Sequence, residues 1–262
     1  MTRATGGNTI VVTGAASGIG RALCEQLVSA GYDVFGLDRR ESPGARAIVD
    51  LADPESIDAV IDAVPAQIDG LANVAGLPGT HEPERILSVN FFGVRRLTRG
   101  LLPSLAAGGS VVCVSSVTAH RCDWLPERLQ RVIECDGEEA MELCLESLDD
   151  GTAAYELSKR LLNHWVAVSV PEFAGRGLRL NTVSPGPVRT PILGDFETSI
   201  GKDRIDAAAA LAGRHGEPGE IAAVIAFLLG SAASWVNGAD IKVDGGFHAL
   251  RAAREIAAGG AR

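Results

Sequence analysis

The stretch TIVVTGAASGIGRALCEQL, residues 9–27, decides the fold. A short β-branched run leads into a glycine-rich turn, TGAASGIG (13–20), and then into apolar residues at helical spacing. Glycine at positions 14, 18 and 20 lets the backbone approach a ligand without an intervening Cβ atom. The N-terminus of the following helix favours a phosphate group. This strand–turn–helix order predicts a dinucleotide-binding unit.

The rest of the chain continues this alternation of strands and helices. Predicted strands cover 9–14, 32–38, 68–76, 109–116, 178–186 and 239–246, and predicted helices cover 21–31, 54–64, 84–105, 152–174 and 219–230. The strands are apolar without alternation, which indicates a parallel sheet buried on both faces. We therefore predict an α/β fold, a single-domain Rossmann-like doubly wound parallel sheet over 1–262 with helices on both faces.

A long segment between Ser116 and Tyr155 departs from this rhythm. Residues 132–158 contain no basic side chain and many acidic ones, yet apolar residues recur there at helical spacing. We predict a helical insert at about 119–150, with two interpretations of its acidic surface left open: a solvated lid or a protein-docking surface. The tail after Asp244 is predicted to fray.

Composition limits the partners. The chain has 262 residues, 46% hydrophobic and 22% charged, which is enough apolar content for a packed core. The net charge of −9 disfavours nucleic acid and anionic membrane surfaces. No apolar run is long enough to cross a bilayer, and the N-terminus lacks a signal-peptide pattern. We expect a small-molecule substrate, no nucleic acid and no membrane.

The five cysteines are scattered and form no CxxC motif. This distribution predicts reduced thiols in a cytoplasmic protein, with no disulfide framework and no metal site.

Asp38 ends the second predicted strand, about 20 residues after the glycine turn. A carboxylate there can accept hydrogen bonds from an adenosine ribose 2′-hydroxyl and repels a 2′-phosphate. The sequence therefore favours NAD over NADP. Arg39 and Arg40 follow directly and keep NADP as the less favoured alternative, because arginine can hold that phosphate.

The segment GTAAYELSKR (151–160) places Tyr155 and Lys159 four residues apart on one face of a predicted helix. A free phenol has a pKa of about 10, too high for a base near neutral pH, and a nearby ammonium stabilises the phenolate. The pair is a candidate for proton transfer; the alternative is a packed tyrosine beside a surface lysine. Ser116 follows a strand at the ligand-binding edge, and Asn90 lies in a helical segment.

Together these motifs resemble the short-chain dehydrogenase/reductase family. The resemblance rests on TGAASGIG (13–20), Asp38, Asp50, NVAG (73–76), Asn90, Ser116, YELSK (155–159), NTVSPGPVRT (181–190) and VDGG (243–246). It implies that Ser116, Tyr155 and Lys159 are catalytic and that Asn90 holds a water in the proton relay.

The resemblance also implies a set of cofactor-binding residues. Asp50 and Leu51 would contact adenine, residues 73, 75 and 76 the ribose, and residues 185, 186, 188 and 190 the nicotinamide. The full set is Gly14, Ser17, Gly18, Ile19, Gly20, Asp38, Arg39, Asp50, Leu51, Asn73, Ala75, Gly76, Tyr155, Lys159, Pro185, Gly186, Val188 and Thr190.

The implied activity is NAD-dependent interconversion of an alcohol and a carbonyl by hydride transfer. The long insert is similar to that of the 3α-hydroxysteroid dehydrogenase/carbonyl reductase branch, and residues 68–80 and 184–193 are similar to the coniferyl-alcohol dehydrogenase branch. A ring-bearing apolar alcohol is therefore expected, either an aromatic allylic alcohol or a 3α-hydroxysteroid. Its pocket would be bounded by the residues after Ser116, the end of the insert and a substrate lid at about 191–213, with Trp124, Leu193 and Phe196 as apolar walls.

The resemblance further implies a homo-oligomer, with a dimer favoured over a tetramer because the insert alters subunit pairing in the steroid branch. Three alternatives remain: an NADPH-dependent carbonyl reductase, an epimerase or dehydratase, and a catalytically silent dinucleotide-binding regulatory protein.

Overall fold

The computed structural model describes residues 8–135 and 137–259. Within those ranges one sheet contains seven parallel strands in the order β3-β2-β1-β4-β5-β6-β7. The strands are β1 (Thr9–Thr13), β2 (Asp33–Asp38), β3 (Ala47–Ile48), β4 (Ile68–Asn73), β5 (Leu105–Val114), β6 (Arg179–Pro185) and β7 (Asp240–Val243). The strand order reverses at β1, which is where open parallel sheets bind ligands.

Helices cover both faces of this sheet. They are α1 (Gly18–Ser29), α2 (Pro54–Ala63), α3 (Pro83–Leu87), α4 (Val94–Leu101), α5 (Pro126–Glu134), α6 (Gly137–Leu145), α7 (Gly151–Gly175), α8 (Leu193–Phe196), α9 (Lys202–Ala212), α10 (Pro218–Leu229) and α11 (Phe247–Gly259). A π-helical turn, Ser88–Gly93, joins α3 to α4, and a second one, Glu197–Gly201, joins α8 to α9. Among the described residues no helix is both long and apolar enough to cross a membrane.

The sheet separates two apolar cores. In β1 the side chain of Val11 packs into one core, whereas Ile10 and Val12 pack into the other. The Ile10 core contains residues of α1 and α10, and the Val11 core contains residues of α2, α4 and α7. Because both faces of the strands are buried, the strands read as continuous apolar runs. The predicted doubly wound fold is confirmed.

Local sequence explains where α2 begins. Asp53 has extended backbone, and its side chain accepts a hydrogen bond from the amide of Glu55 at 3.0 Å. Pro54 follows at the first helical position, where its missing amide hydrogen has no cost. This N-cap stabilises the helix by about 1 kcal/mol.

The insert forms α5 and α6, and these helices belong to the core. Leu129, Val132 and Cys144 are fully buried in the core that contains α7. Among the described residues of 122–150, none lines the cleft at the carboxyl ends of the strands. The predicted helical spacing is confirmed, but the insert does not cover the cleft as a lid. Glu138, Glu139 and Glu142 of α6 are exposed, so a solvated acidic surface and a protein-docking surface both stay open.

Residues 247–259 of the tail after Asp244 form helix α11, contrary to the predicted fraying. The Asp244 side chain accepts hydrogen bonds from the amides of Gly246 at 2.9 Å and His248 at 3.0 Å. These bonds satisfy backbone donors at the start of α11, where no intrahelical acceptor is available. A helix therefore begins directly after β7.

Candidate active site

A cleft of about 510 Å³ lies at the carboxyl ends of the strands. One end is bordered by Asp38 and Arg39 after β2, and the other by Tyr155 and Phe196. Seventeen of the predicted cofactor-binding residues line it: Gly14, Ser17, Gly18, Ile19, Gly20, Asp38, Arg39, Asp50, Leu51, Ala75, Gly76, Tyr155, Lys159, Pro185, Gly186, Val188 and Thr190. The cleft thus brings together residues from the whole length of the chain.

The glycine turn is packed tightly enough to require glycine. A Cβ atom on Gly20 would lie 2.1 Å from the carbonyl oxygen of Gly14. Gly14 has a φ of 73°, a conformation that side chains disfavour. Gly18, the first residue of α1, borders the cleft, so the positive end of the helix dipole faces that space. These features fit a dinucleotide pyrophosphate.

The Asp38 carboxylate bridges two loops. Its Oδ2 accepts a hydrogen bond from the amide of Ala16 at 3.0 Å, and its Oδ1 accepts one from the amide of Arg40 at 3.1 Å. The side chains of Arg39 and Arg40 border the same end of the cleft, and within the described residues neither forms an ion pair with Asp38. This end of the cleft therefore presents both carboxylates and guanidinium groups.

Asp50 is held beside Leu51 by two contacts. Its Oδ1 accepts a hydrogen bond from the amide of Ala52 at 2.9 Å, and its Oδ2 pairs with Arg85 at 2.7 Å. Burial raises the pKa of the Asp50 carboxyl, but the Ala52 amide and the Arg85 guanidinium outweigh burial and hold it below its usual range. Asp50 is thus a fixed anion at this end of the cleft.

Thr13 fixes the loop after β4. Its hydroxyl oxygen accepts hydrogen bonds from the amides of Val74 at 2.9 Å and Ala75 at 3.0 Å. Ala75 and Gly76 line the cleft as predicted, and Thr13 lines it as well. The sequence interpretation overlooked Thr13, although its position at the end of β1 beside the glycine turn was a usable signal.

Asn73 does not line the cleft, contrary to its predicted contact with the ribose. Its side chain is buried, and Nδ2 donates to Thr98 Oγ1 at 2.9 Å and to Cys113 Sγ at 3.4 Å. The amide therefore ties β4 to β5 and α4 behind the cleft wall. Position 73 ends β4, and the sequence alone does not reveal towards which side the side chain turns.

Ser116, Tyr155 and Lys159 converge on the opposite end of the cleft. Tyr155 and Lys159 lie on α7, whose N-terminus is capped by Asp150, and Ser116 follows β5. Lys159 Nζ donates to the carbonyl oxygen of Val114 at 2.9 Å and lies 5.6 Å from the centroid of the Tyr155 ring. The predicted convergence of a phenol, an ammonium and a hydroxyl is therefore present.

The burial of this cluster changes its acid–base properties. Burial raises the pKa of Tyr155 to about 12, and a hydrogen bond with Ser116 offsets only part of this increase. Burial also lowers the pKa of Lys159 to about 8. Desolvation of the phenolate is thus the largest effect on the Tyr155 pKa, and the predicted lowering of that pKa by Lys159 stays a prediction.

Asn90 lies on the π-helical turn between α3 and α4 and is 1% exposed. Its Oδ1 accepts a hydrogen bond from the amide of Leu77 at 2.8 Å, and its Nδ2 donates to the Leu77 carbonyl at 3.0 Å and to Ser158 Oγ at 3.2 Å. A Cβ atom on Gly76 would lie 3.3 Å from Asn90 Oδ1 and 3.5 Å from Lys159 Nζ. Asn90 is therefore near Lys159 but behind the cleft lining, and its water-holding role stays a prediction.

The loop after β6 closes the cleft from the other side. Pro185, Gly186, Val188 and Thr190 all line it. A Cβ atom on Gly186 would lie 3.0 Å from Cα of Asp244, so this loop packs directly against the start of the C-terminal segment. The carboxyl ends of β6 and β7 thereby position the loop.

The segment after residue 191 covers the tyrosine. The Phe196 ring contacts the Tyr155 ring edge to face, with centroids 5.1 Å apart, and Leu193 also borders the cleft. The Thr152 hydroxyl on α7 donates to the carbonyl oxygen of Ser199 at 3.0 Å. Two of the three predicted apolar walls are therefore in place.

Trp124 does not line the cleft, contrary to its prediction as an apolar wall. It is 9% exposed and packs in the core, with the Arg128 guanidinium 3.7 Å from its ring centroid. Other apolar residues, which the sequence did not single out, complete the wall: Val117, Ile200, Ile205, Ala208 and Phe247. Phe247 was not predicted as a wall residue because the tail that contains it was expected to fray. Across the described ranges, no group of three or more histidine, cysteine, aspartate or glutamate residues could hold a metal ion.

Two protein families match the chain. Residues 8–123 match the family described as short chain dehydrogenase, and residues 145–248 match the family described as Enoyl-(Acyl carrier protein) reductase. Together these matches include the glycine turn, Asp38, Ser116, Tyr155 and Lys159, and the unmatched residues 124–144 fall in the insert.

Individual proteins are similar over nearly the whole chain. The coniferyl-alcohol dehydrogenase of Pseudomonas sp. is 40% identical, over 90% of this chain and 95% of that protein. The 3-alpha-hydroxysteroid dehydrogenase/carbonyl reductase of Comamonas testosteroni is 35% identical, over 92% of this chain and 96% of that protein. The crystal structure of the 3-alpha-hydroxysteroid dehydrogenase from Pseudomonas sp. B-0831 complexed with NADH aligns with a TM-score of 0.83 and 35% identity, over 94% of this chain and 98% of that one.

Proposed function

Because the chain belongs to the short-chain dehydrogenase/reductase family, and is thus an NAD(P)-dependent alcohol dehydrogenase/ketoreductase, we propose that it acts with NAD on a ring-bearing apolar alcohol. The observation that carries this proposal is the convergence of Ser116, Tyr155 and Lys159 on a cleft whose wall beside the tyrosine is aromatic.

Ser116, Tyr155 and Lys159 have complementary roles in this proposal. Ser116 donates a hydrogen bond to the substrate oxygen, and Tyr155 exchanges a proton with that oxygen. Lys159, with a pKa of about 8, carries a positive charge at neutral pH and favours the phenolate. Pro185, Gly186, Val188 and Thr190 would hold the nicotinamide ring, which would supply the acceptor for the hydride from the alcohol carbon.

The raised pKa of Tyr155 affects the two directions differently. A phenol with a pKa of about 12 is protonated at neutral pH and can donate its proton to a carbonyl oxygen. For alcohol oxidation the same phenol must first lose its proton. Positive charge near the ring lowers that cost, and Lys159 is the cation that the chain itself supplies.

The preference for NAD rests on Asp38. Its carboxylate borders the end of the cleft proposed for the adenosine, where it would repel a 2′-phosphate. The similar crystal structure from Pseudomonas sp. B-0831 contains NADH, which supports the same choice. An NADPH-dependent carbonyl reductase is the second candidate, because Arg39 and Arg40 also border this end.

The proposed substrate is an aromatic allylic alcohol or a 3α-hydroxysteroid. Both named relatives act on ring-bearing alcohols according to their names. The apolar side chains of Leu193, Phe196 and Phe247 provide surfaces against which a ring can pack. The free thiols of the described residues support a cytoplasmic enzyme, and we further propose a homodimer.

The test measures the initial rate of nicotinamide reduction with NAD and NADP in parallel. The substrates are coniferyl and cinnamyl alcohols, 3α-hydroxysteroids and simple secondary alcohols. We expect turnover with NAD on a ring-bearing alcohol, loss of turnover in Tyr155→Phe, and unchanged turnover in the matched control Tyr32→Phe.

The other outcomes separate the alternatives. Activity with NADP alone would refute the interpretation of Asp38, and a preference for small secondary alcohols would refute the proposed substrate class. Tight NAD binding without turnover on any alcohol would favour the regulatory, catalytically silent protein.

A further inference from the structure

The Ser116 hydroxyl receives two hydrogen bonds from one residue, Thr118. The Thr118 amide donates to Ser116 Oγ at 3.2 Å, and the Thr118 hydroxyl donates to the same atom at 3.0 Å. Both side chains are 7% exposed, and Thr118 also borders the cleft. The sequence motifs do not single out this residue.

The hydrogen-bonding capacity of a hydroxyl group limits which further hydrogen bonds Ser116 can form. A serine hydroxyl has one hydrogen to donate and two lone pairs that accept. The Thr118 amide can only donate, so it occupies one lone pair. The Thr118 hydroxyl is the donor in its contact with Ser116 Oγ, so its proton occupies the second lone pair. The Ser116 side chain can therefore form one further hydrogen bond, as a donor through its own O–H.

Tyr155 is the neighbour that can use this donor. A hydrogen bond with Ser116 lowers the pKa of the Tyr155 phenol, although burial has the larger, opposite effect. A donor that points at the phenol oxygen stabilises the phenolate, whereas an acceptor there would not. The same O–H is the group that a substrate oxygen needs.

We propose that Thr118 is a positioning residue that fills both lone pairs of Ser116 and so directs the single Ser116 O–H, as a donor, to Tyr155 in the free protein and to the substrate oxygen when substrate is bound. This inference rests on the proposed function for its effect on rate. Its effect on the phenol of Tyr155 is independent of turnover. Thr118 acts through Ser116 and needs no contact with the substrate.

The kinetic test compares Thr118→Val, which removes only the hydroxyl and keeps the shape, with Thr118→Ser, which keeps the hydroxyl. Loss of one neutral hydrogen bond is expected to lower kcat by about three- to tenfold in Thr118→Val and Thr118→Ala. Thr118→Ser is expected to stay within about twofold of the wild type. KM should change less than kcat, because the hydroxyl matters most when charge develops on the oxygen.

A pH profile of kcat measures the apparent pKa of Tyr155, which a purely structural role of Thr118 would not change. Lys159 and Glu156 are the ionisable groups beside Tyr155 on its own helix, and Arg121, Asp195 and Arg204 line the same cleft. These groups are unchanged in the Thr118 variants. The apparent pKa of the tyrosine should therefore rise in Thr118→Val and return to the wild-type value in Thr118→Ser.

A second measurement avoids catalysis altogether. The chain has two tyrosines, Tyr32 and Tyr155, so protein labelled with carbon-13 at the tyrosine Cζ atom gives two NMR signals, which Tyr155→Phe assigns. The Tyr155 signal should move in Thr118→Val in the same direction as in Ser116→Ala, and it should stay in place in Thr118→Ser. The Tyr32 signal serves as the internal control.

The possible results are distinct. A Tyr155 signal that stays in place in Thr118→Val but moves in Ser116→Ala would overturn the inference. So would a kcat in Thr118→Ser as low as in Thr118→Val, because the methyl group would then be responsible. If the wild type oxidises no alcohol, the proposed function fails, and the NMR comparison still decides the role of Thr118.

Discussion

Replacing Lys159 with methionine is expected to abolish activity and to stabilise the fold at neutral pH. Lys159 is 4% exposed, and burial lowers its pKa from 10.5 to about 8. The folded protein therefore carries a charged group that is less stable there than in the unfolded chain. Methionine has a similar length and an apolar side chain, so it fills the same space without that penalty.

The magnitude follows from the two pKa values. The decrease from 10.5 to about 8 corresponds to about 3 kcal/mol of destabilisation while the lysine is charged. The substitution also removes the hydrogen bond from Nζ to the Val114 carbonyl oxygen, which costs about 1 kcal/mol. The net expectation is that Lys159→Met raises the free energy of unfolding by about 2 kcal/mol at pH 7.

The pH dependence provides the sharper check. Below pH 8 both the folded and the unfolded states bind the proton, and the penalty is complete. Between about 8 and 10.5 the unfolded chain holds more protons than the folded protein, so the stability of the wild type rises with pH. The advantage of Lys159→Met should therefore shrink across this range and disappear above it.

Urea denaturation of both proteins at a series of pH values measures this difference. Lys242→Met, which replaces an exposed lysine of β7, is the matched control and should show no such pH-dependent gain. A Lys159→Met protein that is less stable than the wild type at pH 7, or whose advantage does not change with pH, would refute the argument from desolvation.

Three further predictions concern the cleft. Gly20→Ala, whose added Cβ atom would lie 2.1 Å from the Gly14 carbonyl oxygen, should weaken NAD binding at least about tenfold in titration calorimetry; unchanged affinity would exclude the turn as the phosphate site. Thr13→Val leaves two backbone amides without their acceptor and should lower the free energy of unfolding in urea by about 2 kcal/mol, whereas Thr13→Ser should stay close to the wild type. Equal losses in both variants would show that side-chain packing, and not the hydrogen bonds, is responsible. Because the pKa of Tyr155 is raised to about 12, the rate of alcohol oxidation should rise with pH from about 6 to about 7.5, the range in which Lys159 keeps its charge, while carbonyl reduction does not; a flat oxidation profile would contradict this assignment of the base.

Local spacing made much of this cleft predictable. Tyr155 and Lys159 lie four residues apart on a helix, so their convergence follows from helix geometry alone. The glycine turn between a buried strand and a helix likewise defines the cleft, because parallel strands bring their carboxyl ends to one edge. In both cases the position of a residue within a regular helix or strand is enough to predict which way it faces.

Side chains whose environment depends on distant segments were not predictable in this way. Asn73 faces away from the cleft because Thr98 and Cys113 offer it partners. Trp124 packs in the core, where Arg128 from the first turn of α5 covers its ring. The pKa of Tyr155 depends on how completely other elements exclude water, and no spacing rule reports that quantity.

Helix α7 connects the catalytic pair mechanically to the rest of the protein. With 25 residues it is about 37 Å long, and Tyr155 and Lys159 lie near one end while Pro171 and Phe173 lie near the other. A substitution at the far end that tilts or shifts α7 moves Tyr155 and Lys159 together. Their geometry relative to each other is then kept, whereas their distance to Ser116, which follows β5, changes. Substitutions remote from the cleft can therefore adjust the reaction rate in small steps, which gives natural variation and directed evolution a gradual route to new substrates.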